Sequence, residues 1–112
     1  DEAVQMVIKN KRIVYHLYRS ADRALVEMYL MRICEQVILS YIHDNHGDLS
    51  VSPEDKTIIV RYYKCQCFGM IIDWLNSDMR FDIAAEAHRM YELRKGMLEE
   101  IVRRASMQRS KT

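Results

Sequence analysis

The 112 residues include only three glycines and one proline. So few turn formers argue against an all-β fold and for long uninterrupted helices. A net charge of one sign is missing as well. Seventeen Lys and Arg against sixteen Asp and Glu leave +1, too balanced for a domain whose main task is to grip a phosphate backbone. Charges interrupt every apolar run before it reaches the roughly 18 to 20 residues that a membrane helix requires, and no signal peptide opens the chain. Cysteine is sparse and odd in number. Cys34, Cys65 and Cys67 fit a reducing cytoplasm better than a secreted disulfide scaffold. What is abundant is apolar side chain, 49% of the residues, mixed with 29% charge. That mixture at this length excludes disorder and fits one compact domain.

The helices follow from periodicity and from their punctuation. Short helical pieces are expected over Glu2 to Lys9 and Lys11 to Arg19, joined at Asn10, a residue that tolerates the left-handed conformation. Ser20 can cap a longer helix from about Ala21 to Asp44, which Asp44, Asn45, His46 and Gly47 would stop. Ser52 as cap, Pro53 at the first helical position, and Glu54 and Asp55 in the first turn then open a helix to about Asn76. A final helix, capped by Asp82, is expected to run through about Met107 and to leave a frayed polar tail. The fold class is all-α, a helical bundle of about five helices. Asp1 starts inside a helical pattern, so the expectation is a part of a longer protein.

The helix from Pro53 is apolar around most of its circumference, and the one after Asp82 carries a broad apolar stripe. A thin helical domain cannot easily cover both. Pairing these last two long helices with those of a second copy would form an intersubunit four-helix bundle. Phe68, Met70, Ile71, Trp74, Met90, Met97 and Ile101 are the expected interface residues, the alternative being burial within the domain's own core.

Eight methionines and seven tyrosines suggest an adaptable, partly polar interior suited to a small hydrophobic or aromatic effector. The candidate ligand-binding residues are Met6, Tyr15, Tyr18, Met28 and Met31, with ordinary core packing as the competing reading and Arg12 and Arg32 as weak anchors. His43 and His46, with Asp44 or Asp48, make a poor metal site and read as solvated helix-end histidines. Cys65 and Cys67 lie about 200° apart around a helix, so they neither share a metal nor close a disulfide and read as buried structural thiols. His88 reads as a surface residue. No catalytic grouping, cofactor motif or metal site emerges.

The run Tyr62-Tyr63-Lys64-Cys65-Gln66-Cys67-Phe68-Gly69-Met70-Ile71-Ile72-Asp73-Trp74-Leu75-Asn76-Ser77-Asp78-Met79 resembles the penultimate helix of TetR/AcrR-type transcriptional regulators. In these an aromatic-rich segment leads through a glycine and an aliphatic cluster to a Trp-Leu pair and a polar exit. The opening Ile8-Lys9-Asn10-Lys11-Arg12-Ile13-Val14-Tyr15-His16-Leu17-Tyr18 looks like the family's early helix break. The resemblance implies a carboxy-terminal regulatory domain that homodimerises through its last two helices, senses an effector among the earlier ones, and reaches DNA only through a helix-turn-helix head that these residues do not include. The rival reading is a stand-alone helical adaptor that binds a partner protein through the same apolar helices.

Overall fold

The computed structural model describes residues 2–20, 22–46 and 51–110. Among these residues six α-helices follow one another: α1 Glu2–Lys9, α2 Lys11–Arg19, α3 Arg23–His46, α4 Pro53–Asn76, α5 Ile83–Leu93 and α6 Met97–Ser110. The all-α expectation holds. The start of α4 also forms as its sequence dictates, with the Ser52 hydroxyl accepting from the Asp55 amide at 3.1 Å and Pro53 in the first turn. Asp82 caps α5 in the same way, accepting from Ala85 at 3.0 Å.

Two local readings change. Asn10 keeps a negative φ of −109°, and its amide nitrogen and side-chain Nδ2 both donate to the Met6 carbonyl, at 3.2 and 3.1 Å. The Val14 amide donates in turn to the Asn10 carbonyl at 3.0 Å, so Asn10 closes α1 and opens α2. The glycine stop at Gly47 lies outside the described residues, and α3 is helical through His46.

The expected single helix after Asp82 is two. Arg94 closes α5, and Gly96 takes φ +87°, the left-handed geometry that ends helices at little cost only for glycine. The Gly96 carbonyl then accepts from Glu100 at 3.2 Å and starts α6. The apolar stripe continues across the break, which is why periodicity alone reads through it.

Helices α3 and α4 form the central pair, and α1, α2 and α5 pack around one end of it. Val7, Tyr18, Leu30, Cys34, Ile71, Trp74, Leu75 and Ile83 are buried there together. The Trp74 indole satisfies its only donor on the Phe81 carbonyl at 3.0 Å. Side chains of this size contribute about 1.5–3 kcal/mol each when fully buried. A second cluster of Ile38, Ile42, Ile59, Val60 and Tyr63 receives Leu98 from α6 at the other end. Between the two, Lys64 of α4 pairs with Glu35 of α3 at 3.1 Å.

The body is elongated, 51 × 27 × 21 Å with a radius of gyration of 15.9 Å, where a compact chain of this length would have about 13 Å. Its accessible surface of 7872 Å² exceeds the roughly 6,500 Å² expected of a compact monomer of this mass.

Candidate functional site

The excess surface is in part apolar, and on α4 it is ordered. Ile58, Tyr62, Cys65, Gly69 and Ile72 recur at intervals of four, three, four and three residues, which puts them on one stripe of the helix. Its exposed members Ile58, Tyr62, Cys65 and Gly69 face away from the buried set Ile59, Tyr63, Cys67, Ile71 and Trp74, while Ile72 at its end is half-buried against the core. Ile58 and Tyr62 are 61% and 59% exposed, large values for such side chains in the middle of a domain. Together with Arg61, Cys65 and Gln66 they line a shallow trough. Farther along, Gly69 has open space where a side chain would stand.

Of the residues expected at an interface, Ile71 and Trp74 face inward and are spent in the chain's own core, at 0% and 4% exposure. Phe68 and Met70 are half-buried against that same core, and Ile101 is half-buried beside the second cluster. Met90 and Met97 are exposed. The outward stripe was legible only in part. A helix apolar all round leaves its inner face undecided until its neighbours are placed.

The five residues expected around a ligand do not gather about one cavity. An apolar groove between α1–α2 and α3 is lined by Met6, Ile13, Leu17, Leu25 and Tyr29. Met28 is exposed and Met31 half-buried. Tyr15 and Tyr18 are occupied elsewhere. The Tyr15 hydroxyl donates to Asp78 Oδ1, which also pairs with Arg19. The Tyr18 hydroxyl donates to Asn76 Oδ1 at 2.7 Å and accepts from Arg23. These bonds tie α2 to the exit of α4.

That exit is itself constrained. Asp78 and Met79 both adopt positive φ, 60° and 59°, a geometry that costs a methionine free energy and persists only where the surroundings enforce it. Here the Met79 amide donates to the Trp74 carbonyl at 2.9 Å, and its side chain packs on the core. The Asp78 carboxyl is held below its ordinary pKa, first by the Tyr15 hydroxyl and then by Arg19.

A second cleft opens beside α5, where Tyr41 and Val37 of α3 face Ala84, Ala87 and Tyr91 of α5 and Arg94 at its end. Arg94 lies 5.4 Å from the Tyr63 ring centroid, within cation–π range. A smaller hollow lined by Tyr63, Lys95, Gly96 and Glu99 continues from the same Tyr41, Tyr91 and Arg94.

Cys65 is exposed on the outward stripe, contrary to the buried expectation, whereas Cys34 and Cys67 are buried. These two meet across the α3–α4 interface. The neighbouring Cys34 sulfur and then burial raise the Cys67 thiol far above its ordinary range. His88 is exposed near Glu92 and His43 is exposed beside Asp44. The His46 side chain and Asp48 lie outside the described residues. Among the described residues no group of three or more His, Cys, Asp or Glu could hold a metal, and Arg12 and Arg32 are exposed.

An all-helical body with a central antiparallel pair and an ordered apolar outer face suits the regulatory part of a transcription factor. Residues 1–96 match the family model described as the transcriptional regulator C-terminal region of the TetR type, and the chain belongs to that family. The match ends at Gly96, where α5 gives way to α6. No curated protein and no solved structure matches the chain significantly. No helix among the described residues is long and apolar enough to cross a membrane.

Proposed function

We propose that the chain is the homodimerising, effector-sensing part of a TetR-type regulator, acting in the cytoplasm and without catalytic activity. DNA reading then belongs to a helix-turn-helix head outside these residues. The family supports a ligand-binding and dimerising role in general. The observation that carries the dimer for this chain is the outward stripe of α4, with Ile58 and Tyr62 more than half exposed.

An isologous contact would lay this stripe against its own copy, the arrangement most homodimers adopt. Gly69 would allow close approach of the two backbones. Arg61 and Asp73 flank the stripe on opposite sides and become neighbours across an antiparallel crossing centred near Cys67. Phe68, Met97 and Ile101 stay as candidates at its margin. The inward Ile71 and Trp74 act by shaping the helix that carries it.

In such a dimer the separation of the two reading heads matches one DNA turn or a multiple of it. An effector shifts operator affinity by binding one dimer geometry better than another. Among the described residues the groove at Met6 and the cleft beside α5 are openings an effector could enter.

Light scattering of the purified chain at micromolar concentration tests the dimer. The expected mass is about twice 13.4 kDa, and Tyr62→Glu should return it to a monomer by burying a charge without a partner. A monomeric wild-type chain would overturn the interface and favour the adaptor reading, in which the same stripe receives a different protein.

A further inference from the structure

The cleft beside α5 has a volume of about 480 Å³, within the range of small-molecule sites. Its composition is asymmetric. Val37, Ala84 and Ala87 supply apolar lining and Tyr41 and Tyr91 supply rings, while Arg94 shares the cleft with Asp44 and His88. Arg94 is half-buried and, among the described residues, forms no ion pair and lies over the Tyr63 ring. A cation partly withdrawn from water against an aromatic ring, with no carboxylate at ion-pair distance among the described residues, is a prepared partner for an anion.

The rim sets the charge of what fits. Lys95 adds one positive charge near Arg94, while Glu99 and Asp44 add two negative ones. A polyanion such as a nucleotide would set several charges against these carboxylates, whereas a monoanion sets only one, which Arg94 can pair.

We propose that this cleft binds a small organic monocarboxylate with an apolar body, its carboxylate paired with Arg94 and its body laid over Val37, Ala84 and Ala87. This rests on the effector-sensing reading and gives it a chemical class and a place. It also gives that reading a route to the dimer. Arg94 and Gly96 are the joint between α5 and α6, so an anion held by Arg94 fixes the angle between the helix that walls the cleft and the helix that bears Met97 and Ile101.

Calorimetric titration of the full chain with octanoate and salicylate, and with octanamide and salicylamide as uncharged counterparts, tests the proposal. At least one acid should bind, and its amide should bind about tenfold more weakly or worse, the loss expected when a charge-assisted contact is removed. Arg94→Met should weaken the acid by a similar factor. Ala87→Phe, which adds bulk to the apolar lining and leaves Arg94 in place, should do the same.

The proposal is overturned if neither acid binds at millimolar concentration, if the amides bind as well as the acids, or if either variant retains wild-type affinity with its helical circular dichroism intact. Light scattering on the same samples separates the two readings. A dimer that binds no carboxylate removes this site alone, and a monomer removes the interface.

Discussion

At the scale of single residues, the side chains that matter most are those whose partners lie far away in the chain. Asp78 is the clearest case, joined to Tyr15 and Arg19 across some sixty positions. Its carboxyl is depressed in the folded state, so its contribution is fully present above the unfolded value near 3.9 and is lost as pH falls through the folded value. Asp78→Asn should therefore lower the urea midpoint at pH 6 and have progressively less effect as the pH falls below about 4. A difference between the two chains that stays constant down to pH 2.5 would show that the carboxylate charge plays no part.

The cysteines divide in a way their spacing conceals. Cys65 should react with a maleimide in the native chain, and Cys34 and Cys67 only on unfolding, because buried thiols are inert. The Cys65 rate should fall as protein concentration rises if its stripe is covered in a dimer. Equal rates for all three thiols would contradict the α3–α4 packing.

At the scale of elements, most of the fold was legible because each helix start carries its own chemistry. Ser52, Pro53 and Asp82 announce helices whatever surrounds them, since a cap bond spans only three residues. The break at Gly96 was not legible from periodicity, because a left-handed glycine changes the direction of the chain while the apolar stripe resumes beyond it. Tyr15 and Tyr18 read as ligand residues on spacing alone. Their bonds to Asp78 and Asn76 depend on the tertiary arrangement, which no local pattern encodes.

The two well-placed glycines should respond oppositely to alanine. Gly96→Ala should cost about 1 kcal/mol from backbone strain, since no neighbouring atom obstructs the added methyl. Gly69→Ala sits mid-helix with nothing within 4 Å and should stabilise the isolated chain by about 0.5–1 kcal/mol. If two α4 helices approach there, it should also weaken association. Thermal melts at low concentration and light scattering at high concentration read the two effects separately. A Gly69→Ala chain that is more stable and equally dimeric would move the closest approach away from that residue.

At the scale of the whole molecule, two clusters of buried side chains lie along one long axis and are joined by the α3–α4 pair. Helices α1, α2 and α5 belong to one end, and Leu98 brings α6 to the other. The extent of 51 Å along that axis makes the domain a lever. If one α4 helix turned against its copy by about 5° around a crossing at mid-helix, the far end of each body, about half of the 51 Å extent away, would swing by about 2 Å, a displacement comparable to the helix shifts that switch other regulatory proteins. A compact sphere of the same mass would convert the same rotation into less travel. The shape that leaves so much apolar surface uncovered is thus also the one that amplifies small rotations.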